Sequence, residues 1–224
     1  MFSTHRSFRL AAVLAAGLGL ASVAFAGPPL ICHPFTTGTG ASLLPWAEGS
    51  NDWHLPDRAY DRANLVADTL RLLSADAPIL DRMENMRRAT IYADENPRMA
   101  AELLRAVVER TKTKPADARA ASLAWFDAGY LVETYRQPGL IYQHEMRPAH
   151  SRWTSLVPEE LADLDGYALV QKAVALAPES QAELDFASAL MSREPLTATH
   201  LRRAAQKAAE GSLLAQNLEH YDVR

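Results

Sequence analysis

From Asp57 to the C-terminus, apolar residues recur at helical spacing, and no strand-like alternation runs longer than about five residues. Ala63, Leu65, Val66, Thr69, Leu72 and Leu73 keep an i, i+3, i+4, i+7 rhythm across 57–74. Pro78 sits at a first-turn position, where a missing N–H costs nothing, and opens a helix to about Glu95. Asn96-Pro97 breaks that helix and starts another, carried by Ala100, Leu103, Leu104, Val107 and Val108. Pro115-Ala116-Asp117 begins a long helix, expected to end at Gln137-Pro138-Gly139. Further helices are expected from a start at 159–164 or 165 to Ala177, from after Pro178 to Ser192, over 196–209 and over 212–221, with Gly211 separating the last two. The fold class is therefore all-α, built from antiparallel helix pairs joined by short loops.

Residues 27–56 differ from the rest. Pro28, Pro29, Pro34, Pro45 and Pro56, with the turn-rich Thr36-Thr37-Gly38-Thr39-Gly40, predict an extended proline-rich N-terminal arm. Ile31, Phe35, Leu43, Leu44, Trp46 and Trp53 make it apolar enough to pack along the helical body. Upstream, Arg6 and Arg9 precede an uncharged Leu/Ala/Val/Gly stretch that ends in Ala24-Phe25-Ala26, an A-x-A cleavage signal. Residues 1–26 thus read as a secretory signal peptide, with a membrane anchor as the alternative. The expected organisation is a signal peptide at 1–26, an arm at 27–56, a helical subdomain at 57–139, a connector at 140–158 and a second helical subdomain at 159–224.

Composition narrows the function classes. The chain has 224 residues with 48% hydrophobic and 22% charged, which excludes a disordered chain. One cysteine excludes a disulfide scaffold. The formal net charge is -4, and signal removal would take two arginines and no acid, so the mature chain repels phosphate backbones and nucleic acid is a poor partner. Export predicts a periplasmic or secreted protein with no stable membrane insertion after cleavage.

Paired helices recur near 57–95, 97–136, 165–192 and 196–221. Gly166, Val170, Ala173 and Pro178 fall at the spacing of the small, aromatic, small and proline positions of a second tetratricopeptide helix. Leu184, Ala187, Ser188 and Met191 match the opening of a following first helix. Over about 40 residues the chain thus resembles a tetratricopeptide (TPR) repeat, although Val170 replaces the usual aromatic. Gly27-Pro28-Pro29-Leu30-Ile31-Cys32-His33-Pro34-Phe35, followed by Ser42-Leu43-Leu44-Pro45-Trp46, resembles the start of uncharacterised secreted bacterial α-helical proteins. That resemblance implies a fold and a compartment but no reaction. A TPR-like solenoid or bundle presents a concave surface for a partner. The leading expectation is an exported, non-catalytic scaffold that binds a protein or peptide of the cell envelope and needs no cofactor.

Two other readings rest on particular side chains. Cys32-His33 can bind a transition metal, with His54, His144 or His150 as helpers, alongside Asp52 and Glu145. A haem on a single cysteine also fits that pair, although Cys-x-x-Cys-His is absent. His144 and His150 are six apart with Pro148 between, so they do not share a helix face as zincin histidines do. Asp127, inside Trp125-Phe126-Asp127-Ala128-Gly129-Tyr130, is a candidate functional carboxylate for a hydrolase if burial raises its pKa beside a cleft. The alternative is an ion pair with an arginine on the helix carrying Arg87 and Arg88. Glu159, Glu160, Asp163 and Asp165 lack the glycine of a calcium loop and suit the positive end of a helix dipole. No Gly-x-Ser-x-Gly elbow is present, and Gly38-x-Gly40 lacks the third glycine of a nucleotide loop.

Overall fold

The computed structural model of this chain describes residues 30–47, 55–94, 96–144 and 155–221, and the backbone alone over 138–144. The signal-peptide region lies outside these residues. Among them are eight α-helices and no strand: α1 (Leu65–Leu72), α2 (Ile79–Ala93), α3 (Pro97–Arg110), α4 (Ala118–His144), α5 (Gly166–Leu176), α6 (Gln181–Met191), α7 (Leu196–Lys207) and α8 (Leu213–Leu218). None is long and apolar enough to cross a membrane.

Local chemistry starts these helices where the sequence marks them. The side chains of Asn96, Asp117, Asp165 and Ser212 accept the backbone N–H of Met99, Ala120, Ala168 and Ala215, at 3.1, 2.7, 2.9 and 3.2 Å. Each bond satisfies one of the donors that a helix start leaves open. Pro78 is the residue before α2 and Pro97 the first of α3. Gly211 has φ +70°, a conformation that glycine adopts without a Cβ clash, and it turns the chain between α7 and α8.

Two expected boundaries move. The first α-helix starts at Leu65, behind a 3-10 turn at Arg62–Asn64, rather than near 57. The long helix does not stop before Pro138 but runs to His144. A proline inside a helix removes one N–H and crowds the preceding turn, so it opens a helix without always ending it. Consistent with an opened turn, the Tyr135 carbonyl accepts the Leu156 N–H from outside the helix at 2.9 Å. The expected connector therefore begins within α4.

One continuous cluster of buried apolar side chains draws on all eight helices and on Leu30, Phe35 and Leu44 of the N-terminal segment. The closest helix packing is between α4 and α5, then between α6 and α7, while α5 and α6 meet less extensively. Gly129 and Gly166 explain the first pairing. A Cβ on Gly129 would lie 2.4 Å from the Gly166 carbonyl oxygen, and one on Gly166 would lie 2.5 Å from the Gly129 oxygen. The two backbones touch through a window that only glycine leaves open.

Candidate functional site

Residues 30–47 form neither helix nor strand and lie against α2, α6 and α8. Their backbone polar groups need partners where the segment is buried. Two asparagines supply them in the same way. The Asn85 carboxamide on α2 accepts the Leu44 N–H at 2.8 Å and donates to the Ser42 carbonyl at 3.0 Å. The Asn217 carboxamide on α8 accepts the Thr36 N–H at 3.0 Å and donates to the Thr36 carbonyl at 2.8 Å. Both asparagines are buried. A carboxamide carries a donor and an acceptor side by side, so it can bond a backbone N–H and a backbone C=O from two neighbouring peptide groups at once.

Charged groups on α2 extend the contact. Glu84 accepts the Phe35 N–H at 3.1 Å. Arg87 donates to the Ile31 carbonyl, Arg88 to the Leu44 carbonyl and the Tyr92 hydroxyl to the Pro45 carbonyl. Arg87 grips both oxygens of Glu84 at 2.8 Å, and Arg88 adds a bond of 2.7 Å. Burial alone would push the Glu84 carboxyl up, but the Arg87 and Arg88 guanidiniums outweigh it and hold the group below the usual carboxylate range. Apolar anchors complete the seat. Phe35 meets Phe186 edge to face at 6.2 Å, and the Trp46 ring lies under Arg87 at 4.9 Å and against Tyr92 at 5.9 Å. The helical body thus holds residues 30–47 through hydrogen bonds to their main chain and through aromatic contacts at Phe35 and Trp46.

Of the residues singled out in the sequence, Cys32 and His33 lie in this segment but make none of the contacts named above. Cys32 is half-buried and His33 exposed, in the first turn of the segment. His54, His150, Asp52 and Glu145 lie outside the described residues, as does the side chain of His144. Among the described residues, no three His, Cys, Asp or Glu side chains gather to hold a metal ion.

Asp127 is fully buried. Arg82 of α2 bonds both its oxygens at 2.9 and 2.7 Å, and Arg110 of α3 reaches one at 3.2 Å. Burial pushes its carboxyl up against the pull of these two arginines. A hydrolytic carboxylate must come within hydrogen-bond reach of a substrate. This one is enclosed, so the geometry corrects the expectation of a cleft carboxylate and matches the ion-pair alternative, with Arg82 as the arginine on the Arg87–Arg88 helix.

Two features were invisible to sequence reasoning. Nothing in the spacing distinguishes Asn85 or Asn217 from a surface asparagine. Glu84-x-x-Arg87-Arg88 is a visible i, i+3, i+4 pattern, but it usually marks a solvated face. The other feature is a relay in which the Tyr167 hydroxyl meets His200 Nε2 at 2.8 Å, and His200 Nδ1 meets Asp185 at 3.0 Å. It has the order of a nucleophile–base–acid chain. Tyr167 lies on α5, Asp185 on α6 and His200 on α7, so the relay ties the three helices together; burial pushes the Tyr167 hydroxyl pKa up.

No protein family, curated protein or solved structure matches this chain.

Proposed function

We propose that this chain is an exported, non-catalytic scaffold that binds extended protein or peptide segments in the cell envelope, and that its own residues 30–47 are the resident occupant. The observation that carries this reading is the pair of buried carboxamides: Asn217 bonds the N–H and C=O of Thr36, and Asn85 bonds the Leu44 N–H and the Ser42 C=O. Main-chain bonds of this kind give affinity for any extended chain, and side-chain pockets add selectivity. The pockets here take Phe35 and Leu44, both buried. A TPR-like stack of helix pairs is the architecture that presents such a surface, although fold alone never dictates function. Export rests on the signal-like residues 1–26.

The test has two arms. Hydrogen exchange on the mature chain is expected to show the Thr36 and Leu44 amides opening well before those of α4, because a resident occupant must leave without global unfolding. A Phe35→Ala/Leu44→Ala variant, first checked for helicity by circular dichroism, is then titrated with a labelled peptide spanning 30–47. Saturable binding that disappears when Asn85→Ala and Asn217→Ala are added supports the reading. Exchange of the Thr36 and Leu44 amides only through global unfolding refutes it, as does failure of the helical variant to bind the peptide.

A further inference from the structure

A cleft of about 270 Å³ lies between the end of α3 and the start of α4, walled by Arg110, Lys114, Pro115, Ala121, Ala124 and Trp125. We infer that it binds a monocarboxylate carried on an aromatic or other apolar group.

Charge is the first argument. Behind the cleft, a single carboxylate, Asp127, faces two guanidiniums, Arg82 and Arg110. Protonating Asp127 would only enlarge the surplus of positive charge. The carbonyls of Leu73, Ser74 and Ala77 accept further bonds from these arginines, but they supply dipoles and no net charge. Buried charges are normally balanced by a partner. Arg82 is sealed, whereas the Arg110 side chain is 33% exposed and forms part of the cleft wall. A guanidinium has five N–H donors, and Asp127 and Leu73 take two of those on Arg110. Lys114 adds a positive charge at the rim. Acids offset part of this. Asp117 caps α4 through the Ala120 N–H at 2.7 Å, and Glu109 is paired with Lys112 at 2.8 Å. The remaining surplus stands out on a chain whose net charge is -4.

Size and lining select the rest of the ligand. A dry cavity of roughly 150 Å³ holds benzene, so this cleft has room for one ring and a carboxylate. Pro115, Ala121, Ala124 and the Trp125 indole offer an apolar wall to the ring. A phosphate would leave that wall unused. The acid fits either as a free small molecule or as the C-terminus of a peptide ending in an aromatic residue.

The probes are benzoate, its neutral analogue benzyl alcohol, N-acetylphenylalanine and N-acetylphenylalanine amide, titrated into the mature chain while the Trp125 indole N–H resonance is followed. Saturable benzoate binding is expected, with no comparable binding of benzyl alcohol. Lys114→Glu, at an exposed position of the rim, is expected to weaken it about tenfold or more, the value of one charge-assisted contact. Tighter binding of N-acetylphenylalanine than of benzoate assigns the peptide terminus; the reverse assigns a free acid. The inference is overturned if no acid binds saturably, if the alcohol or the amide binds as well as its acid, or if Lys114→Glu leaves binding unchanged.

Discussion

Replacing Glu84 by glutamine is the most direct probe of how the N-terminal segment is held. The substitution keeps the shape and removes the charge that Arg87 and Arg88 share. Glu84 accepts four bonds, two from Arg87, one from Arg88 and one from the Phe35 N–H. Glutamine offers one oxygen and turns an NH2 toward groups that are themselves donors. Arg87, fully buried, then loses the carboxylate it grips through both oxygens. Breaking a buried pair from one side costs about 3–5 kcal/mol. The four bonds are not summed, because they share one group. Against a total stability of about 5–15 kcal/mol, the variant should still fold at 25 °C, with a Tm lower by roughly 6–20 °C. Urea unfolding at pH 7 measures the loss, and limited proteolysis within 30–47 shows whether the segment is released first. A loss below about 1 kcal/mol with the segment still protected would place this network with solvent-exposed ion pairs and refute the argument.

The pH dependence follows from the same group. Glu84 has a folded pKa below its unfolded value of about 4.3, so its contribution is present above that value and is lost as pH falls through the folded pKa. Acid unfolding followed by circular dichroism should show a shallower acid limb in Glu84→Gln than in the parent. Gly129→Ala places a methyl 2.4 Å from the Gly166 carbonyl oxygen, so α4 and α5 must separate; a loss of about 1–3 kcal/mol or more in urea melts is expected, and a neutral result would contradict the close approach. Asn217→Ala strands the Thr36 N–H and C=O, costing about 1–3 kcal/mol and speeding exchange of the Thr36 amide more than amides of α4. Asp127→Asn leaves Arg82 and Arg110 facing a neutral amide in the interior, and calorimetry should record a loss of about 3–5 kcal/mol.

The helical class was readable because periodicity and caps act within a few residues of the chain. Asn96-Pro97 and Asp165-Gly166 mark helix starts in the sequence, and the structure starts α3 and α5 there. Pro138 misled for the same reason. Its local effect is to break a helix, and whether a helix continues past the opened turn depends on the contacts around it, among them the Leu156 N–H that reaches Tyr135. The candidate site was less readable still. Cys32 and His33 drew attention as reactive residue types, whereas the contacts that hold 30–47 come from ordinary asparagines 41 and 181 residues away in sequence.

What the sequence by itself determined is therefore what short-range physics controls: the all-α class, helix starts such as Asn96-Pro97, apolar helix faces and the net acidity. Only the tertiary structure decided that Asp127 meets Arg82 and Arg110 rather than solvent, that Asn85 and Asn217 read a backbone, and that Gly129 faces Gly166. These outcomes depend on which surfaces meet once the helices pack. A buried polar group must then find a partner wherever packing delivers one, and the spacing of residues along the chain carries no record of that encounter.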